Sequence, residues 1–145
     1  MKIGITGSRY GMTSAQHHSL ARLFAKLAAR LAAGEWESIT IIHGDCKGVD
    51  AQVDALARQH GFETACHPGN IERWRAYTGA EELSEPAIPH IRNYRIVGDV
   101  AWLIAIPRKG ARGTWMTYGM ANSKRKPRTV IEMDGTVDTK KGDDE

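Results

Sequence analysis

The sequence predicts an α/β protein: one domain on a five-stranded, mainly parallel sheet with helices on both faces. Three observations carry that expectation. Short β-branched runs alternate with segments whose apolar residues recur at helical spacing. The connections are long enough for crossover helices, which make successive strands parallel and, by their handedness, distribute the helices over both faces. The run VAWLIAIP (100–107) is apolar throughout, as a strand inside a parallel sheet must be.

Taken in order, KIGIT (2–6) reads as a buried strand ending at Gly7. Thr13 with Gln16 three residues on forms a capping-box signal. Leu20, Leu23, Phe24, Leu27 and Leu31 then mark one helix face, and Gly34 stops the helix. SITIIH (38–43) is a second strand; Val49, Val53 and Leu56 mark a second helix ending near Gly61. FETACH (62–67) is a third strand, closed by Pro68. Residues 69–86 lack a period, and a loop of that length in a small domain is commonly functional or loosely ordered. IPHIRNYRIV (88–97) is a helix, VAWLIAIP the fourth strand, TWMTYGMANSK (114–124) a helix and TVIEM (129–133) the fifth strand. Residues 1–133 thus form the domain, and 134–145 a polar tail expected to fray.

The 145 residues suffice for one real core, and 41% hydrophobic with 26% charged residues is ordinary for a globular protein. No apolar run reaches bilayer length and the chain opens directly on a strand, so no membrane partner and a cytoplasmic location are expected. Cys46 and Cys66 have neither disulfide nor zinc spacing and read as inert; no metal and no cofactor is expected. A net charge of +3 and a pI near 9.0 suit an anionic ligand. The cluster KRKPR (124–128) reads either as cations at a helix C-terminus or as a nucleic-acid patch.

Three strands empty into the same kind of loop: TGSR (6–9), HGDCKGVD (43–50) and PRKGARGT (107–114). Each contains glycine and enters a helix, an arrangement that aims backbone N–H groups and a helix N-terminus at an anion. None is a Walker loop, and none carries the GxGxxG fingerprint. In parallel sheets such loops meet at the carboxyl ends of the strands, where strand order reverses.

TGSR, HGDCKGVDAQVDALARQHG, RNYRIV and AIPRKGARGTWMTYGMA, in that order, resemble the SLOG superfamily of Rossmann-like nucleotide-binding proteins. Within it the chain is most similar to the small YspA/YpsA-related branch, over about Lys2 to Pro127. Lonely-guy nucleotide hydrolases, single-strand-binding DNA-processing proteins and sensors of ADP-ribose-like signals are distant kin. The resemblance implies a nucleotide or nucleotide-derived, ADP-ribose-like ligand held by a sensing, sequestering or carrier module. It implies ligand contacts by Gly7, Ser8 and Arg9; by Gly44, Asp45, Gly48 and Asp50, with an acid available to ribose hydroxyls; by Arg92 and Asn93; and by Gly110, Gly113 and Thr114. Members commonly pair, so a homodimer or higher homo-oligomer is expected, with residues 100–106 and the helix from Thr114 as a candidate surface.

The chain departs from the lonely-guy pattern in two places, and in the first Arg108 and Lys109 stand after Pro107 where the pattern has the first glycine of its pair. In the second, Trp115, Met116 and Thr117 follow Thr114, where a catalytic glutamate is expected. Activating a leaving base requires an acid–base group in reach, so N-glycosidic hydrolysis would fall to Asp45 or Asp50 with Arg92. Binding without hydrolysis is the leading expectation, and single-stranded nucleic-acid binding a further alternative. Arg9, Arg92 and Arg112 read as phosphate clamps or as solvated charge; for Arg112, between two loop glycines, the clamp is favoured. Arg95 and Arg108 stay open. His43 reads as a satisfied strand-end histidine, and His17 and His18 as surface. Trp74 and Tyr77 either stack on a base or pack under the long loop. Trp102 and Met116 read as core or dimer contacts.

Overall fold

The computed structural model describes residues 1–143. Strands β1 (Lys2–Gly7), β2 (Thr40–His43), β3 (Glu63–Cys66), β4 (Glu81–Glu82), β5 (Trp102–Ile106), β6 (Arg128–Ile131) and β7 (Val137–Lys140) alternate with helices α1 (Ser14–Ala32), α2 (Val49–Gln59), α3 (Pro89–Asp99) and α4 (Arg112–Ser123). A single 3₁₀ turn covers Glu72–Trp74. The strands form one sheet in the order β4-β3-β2-β1-β5-β6-β7, parallel except for the β6–β7 pair.

The sheet therefore has seven strands where five were expected. β4 is two exposed glutamates beside Ala65 and Cys66, too short to leave a pattern. β7 lies in the segment expected to fray: it folds back antiparallel on β6, with Ile131 opposite Val137, and Thr129 and Thr139 share a hydroxyl bond of 2.8 Å. Only Val137 is apolar in β7, so the segment carries no buried-strand signature. The last two residues of the expected tail, 144 and 145, lie outside the described residues.

Alternation along the strands sorts the core into two layers. Ile3, Ile5, Ile41, Ile104 and Ile106 face Leu20, Phe24 and Leu27 of α1 and Val49, Val53 and Leu56 of α2. Ile42, Ala65 and Leu103 face Ile96, Val97 and Val100 around α3 and Ala121 of α4. Each buried Leu or Ile contributes roughly 1.5–3 kcal/mol. Because β1 and β5 are neighbours whose following helices lie on opposite faces, the strand order reverses between them. Of residues 100–106, expected above as a pairing surface, Trp102–Ile106 form β5 inside the sheet: Val100 is 3% exposed and Leu103 to Ile106 are wholly buried, Trp102 is half-buried and Ala101 is exposed.

Two polar devices lock the layers. The expected capping box is present: Thr13 Oγ1 accepts the Gln16 N–H, and Gln16 Oε1 accepts the Thr13 N–H. The same Gln16 side chain, fully buried, donates from Nε2 to the carbonyls of Pro107 and Ile131, fastening α1 to the ends of β5 and β6. At the opposite rim Lys126 Nζ donates to the carbonyls of Val97, Gly98 and Val100, at 2.6, 3.2 and 2.7 Å, where α3 ends. A cation there meets the negative end of the helix dipole and carbonyls that lack intrahelical partners. Lys126→Ala is expected to cost about 2 kcal/mol in a urea unfolding curve, read at unchanged m-value.

Candidate functional site

At the reversal point, the loops after β1, β2 and β5 and the first turns of α3 enclose a cavity of about 350 Å³, inside the roughly 300–1,000 Å³ usual for small-molecule sites. Of the expected ligand residues, Gly7, Ser8, Arg9, Gly44, Asp50, Arg92, Asn93, Gly110, Arg112, Gly113 and Thr114 line it. Asp45 and Gly48 do not.

Those two exceptions hold the loops in place. Gly48 has φ +91°, and a Cβ there would fall on the Arg9 backbone, because the β1 loop packs directly on the start of α2, where the Val49 N–H donates to the Ser8 carbonyl at 2.9 Å. Asp45, itself in the left-handed region at φ 55°, aims its carboxylate away from the cavity. It accepts from Arg75 at 3.0 Å, and from the Thr78 N–H and hydroxyl at 3.0 and 2.7 Å. Burial pushes the Asp45 carboxyl up, but the bonds from Thr78 and the Arg75 guanidinium outweigh it and hold the group below its ordinary value. With the bond from the Lys47 N–H to the Trp74 carbonyl, Asp45 thereby orders the stretch around residues 74–78 and sets Trp74 at the cavity mouth. Tyr77 points elsewhere: it is exposed, lies under Arg75 and donates to Glu72. Of the two aromatics, Trp74 alone lines the cavity.

The three glycine loops are not equivalent. In the β2 loop Asp50 Oδ2 accepts the N–H groups of Gly44 and Cys46, at 3.0 and 3.2 Å, and His43 Nδ1 accepts that of Asp45 at 2.9 Å. This amide cup is filled by the protein's own side chains. His43 is fully buried, and its Nε2 donates to Asp54 at 2.9 Å; with Nδ1 accepting, it is a satisfied core histidine. The β1 loop leaves the N–H groups of Ser8 and Arg9 without a partner among the described residues, and the first turn of α4 leaves those of Gly113 and Thr114.

Side chains repeat the pattern. Thr6, Asp50, Asn93 and Thr114 are 8, 6, 7 and 4% exposed and all line the cavity. Each keeps a polar atom with no hydrogen-bond partner among the described residues, open to the cavity and not sealed from solvent: both threonine hydroxyls, Asp50 Oδ1 and Asn93 Nδ2. Burial drives the Asp50 carboxyl above its ordinary value, and neither nearby Arg92 nor the two amides reverse it. Arg92 donates from Nε to Asn93 Oδ1 at 2.7 Å and from Nη1 to the Gly44 carbonyl and Cys46 Sγ, at 3.0 and 3.2 Å. Glycine at 44 leaves room for this guanidinium, which a Cβ there would displace. Arg9 lies over the Trp74 ring, 4.2 Å from its centroid, and Arg112 has no side-chain partner among the described residues. Of the two open arginines, Arg108 donates to the Gly11 carbonyl at 3.2 Å and Arg95 to the Glu85 carbonyl at 3.1 Å.

Thr6, Tyr10 and Cys46 are among the lining residues that were missed. Strand alternation would have found Thr6, which points to the α3 side as Gly4 does. Cys46 carries no signal. Burial, then the Asp50 charge, push its thiol up, and burial pushes Cys66 up to about 12, so both stay protonated. The cations of 124–128 are largely engaged within the fold: Lys124 lies over Tyr94 at 4.2 Å, Lys126 caps α3, and Arg128 is buried in β6. No helix among the described residues is long and apolar enough to cross a membrane.

Sheet order and crevice define an α/β protein of Rossmann-like fold with a polar site at the switch point. No protein-family model matches the chain, and no curated protein matches it. Among solved structures, the chain is similar to the X-ray structure of TM1055, a target of the Northeast Structural Genomics Consortium. The TM-score is 0.64 at 17% identity, over 88% of this chain and 71% of that one, a likeness of fold alone.

Asp45→Asn is expected to cost about 3 kcal/mol at neutral pH, because it leaves Arg75 without its main counter-charge. The Asp45 carboxyl is depressed in the folded state, so its contribution is present above the ordinary aspartate value, about 3.9, and is lost as pH falls through the folded one. Urea titrations at several pH values should show the wild type and the variant converging below about pH 4.

Proposed function

We propose that this protein binds a nucleotide or nucleotide-derived, phosphate-bearing ligand in the crevice between the β1 and β5 loops, as a sensing, sequestering or carrier module. One observation carries the reading: two open amide cups and four deeply buried side chains direct unpartnered polar atoms into one cavity. Polar groups that line an open cavity are hydrated in the absence of ligand, and a ligand complementary to them takes over those bonds. Amide cups at a helix N-terminus favour phosphate oxygens, Arg92 and Arg112 add charge-assisted donors, and Trp74 offers a ring face beside the mouth. The similarity to SLOG proteins points to the same ligand class.

One observation also supports a second reading, N-glycosidic hydrolysis of a bound nucleotide. Asp50 places a carboxyl oxygen in the cavity beside Arg92, and burial favours its protonated form. Asp45 has both oxygens engaged and drops out of that role. Hydrolysis would appear as free base released from nucleoside monophosphates, abolished in Asp50→Asn.

Calorimetry with a panel of ribonucleoside phosphates and ADP-ribose forms tests the binding reading. At least one is expected to bind, and Arg112→Ala to weaken it about tenfold, the loss of one charge-assisted contact. No heat of binding with any member of the panel would defeat the proposal.

A further inference from the structure

We propose that the ligand is a diphosphate ester whose two linked phosphoryl groups occupy the two open amide cups, one each. This rests on the binding reading above and narrows it. Gly7 of β1 is paired with Ile106 of β5, so the β1 and β5 loops leave the sheet side by side, and the residues of both cups line one cavity. Two phosphoryl groups sharing a bridging oxygen can engage both cups within that one cavity; two separate ligands would set their charges against each other.

Each cup has a second component besides its amides. Thr6, 8% exposed, lies two residues before the Ser8–Arg9 cup, and Thr114, 4% exposed, belongs to the Gly113–Thr114 cup. Both line the cavity, and their hydroxyls lack a partner among the described residues. α4 runs twelve residues, long enough for its dipole to add to the second cup.

The cups are also fastened to each other. Arg108, at the root of the β5 loop, donates to the Gly11 carbonyl of the β1 loop at 3.2 Å, and Gln16 at the start of α1 donates to the Pro107 carbonyl at 2.7 Å. The two loops that carry the cups are thus tied together without a ligand, which lowers the ordering cost of binding both cups at once. The third cup, after β2, is closed by Asp50, so a third phosphoryl group finds no equivalent place. Arg9, Arg92 and Arg112 line the cavity against a single carboxyl, Asp50, an excess of cation that one phosphoryl group does not match. A monophosphate would fill one cup and leave the other to water.

The test is isothermal calorimetry on the intact protein with the four ribonucleoside 5′-monophosphates, the matching 5′-diphosphates and ADP-ribose. For at least one base the diphosphate is expected to bind more tightly than the monophosphate by about tenfold or more. ADP-ribose distinguishes an internal diphosphate, which it matches, from a terminal one, for which ADP binds better. A preference under about tenfold for every base overturns the two-cup assignment while leaving nucleotide binding intact. Absence of binding throughout overturns both. In Arg108→Ala, checked by its thermal transition for folding, the diphosphate preference is expected to shrink. An undiminished preference in the folded variant overturns the assignment, and if the variant does not fold, the wild-type panel decides.

Discussion

The structure depends on the divergence between β1 and β5. These two strands are hydrogen-bonded along their length, yet the helices that follow them pack on opposite faces of the sheet. Two adjacent parallel strands cannot send their chains apart without opening a crevice above the junction. The crevice walls are loops that leave apolar strands, so backbone donors gather where the core stops. Everything polar in the site is arranged around that gap: the amide cups on either side, the buried threonines at its foot, and the arginines above.

Two aspartates, five residues apart, divide the work of stabilising it. Asp50 is turned inward and satisfies the β2 loop amides, giving that loop a fixed shape at the cost of its own capacity to bind anions. Asp45 is turned outward and secures the segment around Trp74 through Arg75 and Thr78. Their environments move the carboxyls in opposite senses, Asp50 upward by burial and Asp45 downward by donated bonds. Two identical side chains thus end with carboxyls shifted in opposite directions, one lining the cavity and the other stapling the segment beside it.

The fold was legible wherever a buried strand or amphipathic helix left a period. Ile3, Ile5, Leu20, Phe24, Leu103 and Ile104 were placed in the core by spacing, and the structure keeps them there. β4 and β7 were invisible for a physical reason: edge strands with exposed side chains satisfy backbone bonds without an apolar face to display. Much of the site was legible because glycine after a strand marks a loop at the carboxyl rim. The sequence could not show which loops keep their amides free. That depends on whether a side chain such as Asp50 folds back onto its own loop or, like Arg112, stays unengaged, and both residue types fit either outcome. Trp74 and Tyr77 make the same point, since only the pinning of residues 74–78 by Asp45 separates a cavity wall from an exposed ring.

The distribution of charge supports a small anion over a polymer. A surface that tracks a nucleic-acid backbone needs a row of solvated cations at roughly the phosphate repeat, and its affinity comes from releasing counterions along that row. Here the densest basic stretch, 124–128, is largely committed to the fold: one lysine closes the end of α3, another rests on Tyr94, and Arg128 is buried. Arg9, Arg92 and Arg112 instead line the crevice, and Arg112 has no side-chain partner among the described residues. Cations concentrated in a concave, partly desolvated site act at a lower effective dielectric than cations on a convex surface, so each contributes more to holding a compact anion. With a net charge of only +3, the protein lacks the broad positive field of a general nucleic-acid binder. The attraction it can exert is local, and the fold localises it at the switch point.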